Sequence, residues 1–242
     1  MGNHDELRPL TIAVGGYLLA HGGVLTERFV AEESGLIKLP DSISYSAAAT
    51  LSCAALTAWH SLFEAGDLKP GQTVLLLGTG GVSIYALQFA KAAGATVIIT
   101  SSDDGKLAHA KQLGADHGIN YRTHPEWQNE VRRVTNGRGV DVVIEVGGPG
   151  TLERSLASVC TGGRIAYIGV LTGLAGQANP VALIPTMASI NGIFVGSRAM
   201  FTHMLQAIEK HGIRPVIDRE FPFDQAPAAL ELMRSGGHFG KI

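Results

Sequence analysis

Short apolar runs alternate with longer amphipathic stretches along most of the chain, beginning at Gly71. The apolar runs are rich in β-branched residues and fall at residues 73–77, 96–100, 118–120, 140–146, 163–170 and 192–196. Such alternation is typical of parallel strands that are joined by crossover helices. It predicts an α/β fold of the Rossmann type, with a doubly wound, six-stranded parallel sheet.

The glycine-rich turn GTGGVS, residues 78–83, follows the first predicted strand and opens a predicted helix. Three glycines in four positions fit two interpretations: a cradle for a nucleotide diphosphate, or a tight turn between a buried strand and a buried helix. A diphosphate needs backbone amides without side chains in front of them, and a helix amino end offers free N–H groups and a positive dipole. The position of the turn at the head of an α/β series favours the cradle. Ser83 stands where a third Gly or Ala is usual, and it is small enough to be tolerated.

The second predicted strand ends in TSSDD, which puts Ser101 and Ser102 where NAD-binding proteins carry an acidic residue for the ribose hydroxyls. A carboxylate there would repel a 2′-phosphate, whereas serine hydroxyls and the nearby Lys106 would attract it. The pattern therefore favours NADP(H), with NAD(H) as the second choice. Alternatively, Asp103 caps the next helix and Lys106 is a solvated side chain, which would leave the cofactor preference open.

Composition and charge limit the class of ligand and the cellular compartment that are expected. A net charge of -2, with both signs mixed along the chain, gives no reason to expect a nucleic acid or an anionic membrane as partner, so a small molecule is the expected ligand. Two cysteines cannot build a disulfide framework, which suits a reducing compartment and predicts a cytoplasmic protein. The charged start MGNHDELRP lacks the apolar core of a secretory signal.

With these features, the chain resembles the medium-chain dehydrogenase/reductase superfamily, which includes zinc-type alcohol dehydrogenases and zinc-free quinone oxidoreductases. The resemblance rests on LKPGQTVLLLGTGGVSIYALQFAKAAGATVI, GRGVDVVIEVGG, GGRIAYIGV and FDQAPAALELMRSGGHFGKI, and it covers nearly everything from Gly22 onward. It implies three parts. Residues 1–52 are a partial N-terminal catalytic segment, the remnant of a GroES-like β domain; residues 53–197 are the dinucleotide-binding Rossmann domain; residues 198–242 return to the catalytic domain.

The resemblance also implies a set of cofactor-binding residues. These are Gly78, Thr79, Gly80, Gly81 and Val82 at the diphosphate; Ser101, Ser102, Lys106 and Tyr121 at the adenosine 2′-phosphate; Val146 and Gly147 beside the adenosine and ribose; and Thr57, Ile168, Gly169, Val170, Leu171, Val195, Gly196 and Ser197 along the nicotinamide. Tyr121 suits a half-buried packing residue equally well. In the family, the last strand pairs with its copy in a second subunit, so a homodimer is implied.

The family pattern is incomplete in this chain. Members of the family carry a longer segment before the part that begins here near Gly22, and that segment supplies the first catalytic zinc ligands. Cys53 corresponds to a third zinc ligand, but a catalytic zinc needs three protein ligands. A small buried thiol is the alternative account of Cys53. We therefore predict no metal, and the sequence identifies no catalytic residue.

These features predict an NAD(P)-dependent oxidoreductase of the alcohol dehydrogenase or quinone oxidoreductase type. It would transfer a hydride between NADP(H) and a small carbonyl, enone, quinone or alcohol, with the cofactor carrying the chemistry. The alternatives are a catalytically silent dinucleotide-binding remnant and a shortened form of a full alcohol dehydrogenase.

Overall fold

The computed structural model describes residues 27, 30, 36–40, 42–176 and 179–242. Its strands are β1 (Thr73–Leu76), β2 (Thr96–Ser101), β3 (His117–Asn120), β4 (Val140–Glu145), β5 (Val159–Tyr167) and β6 (Ser189–Gly192). Its α-helices are α1 (Tyr45–Thr50), α2 (Leu56–Trp59), α3 (Gly81–Ala92), α4 (Asp104–Gln112), α5 (Trp127–Val134), α6 (Pro149–Ser158), α7 (Arg198–His211) and α8 (Ala226–Ser235). The π-helical turns Leu51–Ala55 and His60–Glu64 extend α1 and α2 into one helical segment, and 3-10 turns lie at Pro180–Leu183 and Phe223–Gln225.

The six strands form one parallel sheet in the order β3-β2-β1-β4-β5-β6. The predicted doubly wound α/β sheet is thereby confirmed. After β3 the chain returns to the middle of the sheet and adds β4 on the other side of β1. Connections leave β1 and β4 in opposite directions, which opens a crevice at the carboxyl ends of these two strands.

Both faces of the sheet are covered, because alternate side chains of the central strands enter two separate cores. On β1, Val74 and Leu76 belong to one core and Leu75 to the other, and all three are fully buried. The first core includes Ile84 of α3 and apolar residues of α4 and α7, whereas the second includes Trp127 of α5 and apolar residues of α6. A strand that is buried on both faces is apolar throughout, as the sequence pattern required.

The predicted position of the last strand, residues 192–196, is wrong. β6 covers Ser189–Gly192, and its Gly192 lies opposite Tyr167 of β5. Beyond it the backbone leaves the sheet, since Val195 takes a left-handed conformation with φ 51 and Phe194 is 68% exposed. The apolar residues that suggested a strand come after the residues of β6 that pair with β5.

Two predictions about domain organisation stay open: the boundary between residues 52 and 53, and the N-terminal β unit. The helical segment that starts at Tyr45 and ends at Glu64 runs across the predicted boundary between residues 52 and 53. Most of the predicted N-terminal β unit falls outside the described residues, so the three-part division stays a prediction. Within the described ranges, no helix has both the length and the apolar character needed to cross a membrane.

Candidate functional site

A cavity of about 1010 Å³ lies at the carboxyl ends of β1, β2, β4 and β5. Its walls are the loops that follow these strands, parts of α4 and α6, and the chain from Met233 to His238. Most of the predicted cofactor-binding residues line it: Gly78, Thr79, Gly80, Gly81, Val82, Ser101, Ser102, Lys106, Tyr121, Val146, Gly147, Ile168, Gly169, Val170 and Leu171.

Four predicted residues, Thr57, Val195, Gly196 and Ser197, are not among the described residues that line the cavity. They lie close to α2 and the start of α7. The carbonyl oxygen of Val195 is 2.9 Å from Nδ1 of His60, and Gly196 packs tightly against Leu56. Ser197 caps α7, because its side chain accepts a hydrogen bond from the backbone of Met200. The predicted contact of these four residues with the nicotinamide stays a prediction.

The glycine turn presents bare backbone to the cavity. A Cβ atom at Gly78 or Gly80 would meet open space rather than protein, so side chains at these positions would occupy the cavity. Gly78 also needs the left-handed conformation, with φ 71. The start of α3 at Gly80 has no side-chain cap from the described part of the chain, although its backbone forms a bridge with Gly240 and the Lys241 side chain lies against Gly81.

Ser83 holds the amino end of α3 against the sheet. Its hydroxyl donates to the carbonyl oxygen of Leu77 at 2.7 Å, and the residue is fully buried. The turn is further fixed to β2, since the backbone N–H of Gly78 donates to Oγ1 of Thr100 at 3.1 Å. A serine at the third fingerprint position therefore fits and adds a hydrogen bond, which explains why the sequence can depart from Gly or Ala there.

At the end of β2, the carboxylate of Asp103 is already engaged. Its Oδ1 accepts the backbone N–H of Lys106 at 2.8 Å and so caps α4, as the alternative interpretation held. The ammonium of Lys106 donates to the carbonyl oxygen of Gly236 at 2.6 Å, so this side chain is not merely solvated. Tyr121 lines the cavity with 41% of its surface exposed, and its backbone N–H donates to Ser101.

A buried carboxylate, Glu145 at the end of β4, organises the next wall. It is fully buried, and its Oε1 accepts the backbone N–H groups of Gly147 at 2.8 Å and Gly148 at 2.9 Å, together with the Thr151 hydroxyl at 2.6 Å. Its Oε2 accepts the hydroxyl of Ser155. The carboxylate thus fixes the turn from β4 into α6, which includes the cavity residues Gly147 and Thr151.

The lining includes four basic side chains, Lys106, Arg154, Arg234 and His238. None of its described lining residues is acidic. Arg154 lies 3.3 Å from Glu126 and Arg234 lies 3.0 Å from Glu231, so two of the four are paired at the rim. The pKa of Glu126 is lowered by its hydrogen bond with Gln128 and then by the Arg154 guanidinium. This charge pattern suits an anionic ligand.

Sequence reasoning missed three residues of this site. Glu145 is the one polar residue near the end of an apolar strand and precedes two glycines, a pattern that could have marked it as a turn-fixing acid. Arg154 and His238 gave no local signal, because tertiary folding brings them to the cavity from α6 and from the C-terminal residues. The Nε atom of Arg154 and the Nδ1 atom of His238 are buried without a hydrogen-bond partner in the described structure.

The described residues do not fit a catalytic zinc. Among them, no three His, Cys, Asp or Glu side chains lie together as a metal site would require. Nδ1 of His60 forms a hydrogen bond with the carbonyl oxygen of Val195. Cys53 is exposed, so its alternative account as a buried thiol is wrong. The absence of a metal from the whole protein stays a prediction.

Comparison with known proteins adds a consistent set of similarities. The family model described as zinc-binding dehydrogenase matches residues 81–210. A zinc-type alcohol dehydrogenase-like protein of Schizosaccharomyces pombe is 45% identical over 236 residues, which cover 95% of this chain and 67% of that protein.

Solved structures of alcohol dehydrogenases and related proteins are also similar to this chain. A structure described as an alcohol dehydrogenase of Sinorhizobium meliloti 1021 has a TM-score of 0.86 at 42% identity, covering 91% of this chain and 64% of that one. The mycobacterial protein Rv1454c, solved in complex with NADPH, has a TM-score of 0.76 at 27% identity, covering 84% of this chain and 66% of that one. The chain thus spans about two thirds of the length of these proteins.

Proposed function

Because the chain belongs to the zinc-binding dehydrogenase family of the medium-chain dehydrogenase/reductase superfamily, we propose that it is a cytoplasmic, NADP(H)-dependent oxidoreductase. Its substrate would be a small carbonyl, enone, quinone or alcohol. The observation that carries the proposal is the cavity at the carboxyl ends of the strands, with the bare glycine turn on one side and only basic charged residues in its lining. Its volume of about 1010 Å³ lies at the upper end of the range for ligand pockets, as a dinucleotide requires.

The cavity residues would hold the coenzyme along its length. The amides from Gly78 to Val82 would receive the diphosphate at the start of α3, and the wall formed by Val146 and Gly147 would border the adenosine. The loop after β5, from Ile168 to Leu171, would face the nicotinamide. When bound, the nicotinamide would supply or accept the hydride, while the protein would orient it and exclude water.

The end of β2 supports NADP(H) over NAD(H). Ser101 and Ser102 offer hydroxyls where a carboxylate would hold the ribose of NAD, and Asp103 is occupied as the cap of α4. Lys106 donates to an uncharged carbonyl oxygen and keeps two further N–H donors for a phosphate.

The cofactor assignment is tested by titrating the purified protein with NADPH and NADH. We expect Lys106→Ala to weaken NADPH about tenfold or more and to leave NADH nearly unchanged, because a contact with a 2′-phosphate is charge-assisted. Lys111→Ala, an exposed lysine on the same helix, is the matched control. Equal losses for the two coenzymes would remove the assignment to NADP(H).

Turnover needs a separate test, because the chain spans only about two thirds of its relatives. Oxidation of NADPH, followed by its absorbance in the presence of a panel of quinones and enones, is the expected activity. Binding without turnover would favour the second candidate function, a dinucleotide-binding protein without catalysis. That candidate includes a shortened form of a full dehydrogenase, whose activity would belong to the longer parent.

A homodimer through the edge of the sheet is part of the proposal. β6 is the edge strand, and Ile190 in it and Phe194 just after it expose apolar surface. An exposed strand edge beside apolar side chains is suited to pairing with a second copy. The molar mass from light scattering in solution tests this arrangement.

A further inference from the structure

The loop after β5 carries apolar side chains that the described structure leaves largely exposed. Val170 is 53% exposed and Leu171 is 83% exposed, and both line the cavity. Side chains with so few contacts do little to hold a loop in place, so the position of this loop depends on its hydrogen bonds. In the part of the chain that the structure describes, the bonds that tie the far end of the loop to the next wall meet at Thr172.

Thr172 joins this loop to the turn from β4 into α6. Its hydroxyl accepts the backbone N–H of Gly150 at 2.8 Å and donates to the carbonyl oxygen of Gly147 at 3.0 Å. Its own backbone N–H donates to the same carbonyl oxygen at 2.9 Å. We call these three hydrogen bonds the Thr172 clamp. Because the hydroxyl both donates and accepts, only threonine or serine could supply its two bonds in this geometry.

The two loops also approach each other closely beside the clamp. A Cβ atom at Gly150 would lie 2.9 Å from Cβ of Thr172, and a Cβ atom at Gly148 would lie 2.7 Å from the carbonyl oxygen of Gly169. Both distances are shorter than real Cβ contacts, so any side chain at these glycines would displace the facing loop. The loops therefore pack directly against each other, with the clamp at their far end.

One side of the clamp is fixed without Thr172. Glu145 accepts the backbone N–H of Gly147 and the hydroxyl of Thr151, so the turn after β4 keeps its shape. The start of the loop after β5 is held by the backbone N–H groups of Ile168 and Gly169, which donate to the carbonyl oxygen of Glu145. Loss of the clamp should therefore release only the far end of the loop, where Val170 and Leu171 lie.

We propose that Thr172 is a positioning residue, which holds Val170 and Leu171 where they pack against the nicotinamide of a bound coenzyme. The proposal rests on the proposed function, since it assumes that the cavity holds a dinucleotide with its nicotinamide beside this loop. The adenosine half would be held by walls that do not depend on Thr172, namely the glycine turn and the end of β2.

The test compares two probes by titration: NADPH, which contains the nicotinamide, and 2′,5′-ADP, which contains only the adenosine half. Thr172→Val removes the hydroxyl and keeps the shape of the side chain. We expect it to weaken NADPH about tenfold, because two hydrogen bonds of the clamp are lost, and to leave 2′,5′-ADP unchanged. The fluorescence emission of bound NADPH should also shift toward that of the free coenzyme, since the dihydronicotinamide would be more exposed to water.

Two further variants separate positioning from a general loss of structure. Thr172→Ser keeps both hydrogen bonds of the hydroxyl and should restore the affinity and the emission. Gly150→Ala perturbs the same contact from the other side, because its Cβ would displace Thr172, and it should reproduce the effect of Thr172→Val. The matched control is Thr202→Val, an exposed threonine on α7 whose hydroxyl bonds within its own helix, and it should bind both probes like the parent.

The outcomes distinguish this inference from the proposed function. Parent-like affinity and emission of NADPH in Thr172→Val would overturn the inference, and so would an equal loss of 2′,5′-ADP, which would indicate damage to the whole cavity. If the parent protein binds neither probe, the proposed function fails and this inference fails with it. If the parent binds both and Thr172→Val behaves like the parent, only this inference fails.

Discussion

Replacing Glu145 probes how the turn from β4 into α6 is held in shape. The carboxylate is fully buried and accepts four hydrogen bonds, from the backbone N–H groups of Gly147 and Gly148 and from the hydroxyls of Thr151 and Ser155. Glu145→Gln keeps the shape and the Oε1 acceptor, and its amide can donate to Ser155. Glu145→Ala removes every acceptor.

The expected magnitudes follow from the hydrogen bonds. A hydrogen bond to a charged group contributes about 1.5 to 3 kcal/mol and a neutral one about 0.5 to 1.5 kcal/mol, so four weakened bonds would cost about 4 kcal/mol. Glutamine avoids the desolvation of a buried charge, which offsets part of this loss, and we expect the free energy of unfolding to fall by about 2 kcal/mol. In Glu145→Ala, two buried N–H groups lose their partner at about 1 to 3 kcal/mol each, so a fall of about 4 kcal/mol is expected.

Urea unfolding followed by circular dichroism measures these changes, and NADPH titration of the folded variants measures the effect on the cavity wall. Glu153→Gln, at an exposed position on the same helix, is the control and should unfold like the parent. We also expect weaker NADPH binding by Glu145→Gln, because Gly147 lines the cavity. If both Glu145 variants unfold within about 0.5 kcal/mol of the parent, the range for neutral surface substitutions, the argument is refuted.

Two further predictions concern backbone approach and pH. A Cβ atom at Gly169 would lie 1.6 Å from the carbonyl oxygen of Val146. Gly169→Ala should therefore push apart the loops after β4 and β5 and abolish NADPH binding in a titration. Gly192→Ala is the control and should bind NADPH normally, because a Cβ atom there meets open space. Burial alone would raise the pKa of Asp141, but hydrogen bonds and charge from Arg138 and the backbone outweigh it and hold the pKa below its usual range. The stability that comes from this depressed pKa is fully present above the unfolded value of about 3.9 and is lost as the pH falls through the folded value. In Asp141→Asn, the free energy of unfolding measured by urea should therefore depend less steeply on pH at the acid end. Normal binding by Gly169→Ala, or an unchanged acid slope in Asp141→Asn, would contradict these predictions.

How far the sequence could predict this protein depended on whether a feature was local. The six-stranded sheet and the glycine turn were predictable, because strand periodicity and a turn between strand and helix are written in neighbouring residues. The position of β6 was not, since its residues Ser189–Gly192 pair through the backbone while the apolar Phe194 lies outside the sheet. Likewise, only the folded chain brings Arg154 and His238 to the cavity from distant segments.

The basic character of the cavity lining depends on where the nearby carboxylates are held as well as on where the basic side chains lie. Three carboxylates close to the cavity each have a structural partner: Asp103 caps α4, Glu145 holds the turn after β4, and Glu126 lies against Arg154. None of the three is among the residues that line the cavity. Because the described lining holds basic side chains and no carboxylate, an anion in the cavity would be attracted to its walls, and Arg154 and Arg234 also face Glu126 and Glu231 outside the lining. We therefore expect that exchanging Ser101 and Ser102 alone would alter only part of the cavity's attraction for an anionic ligand.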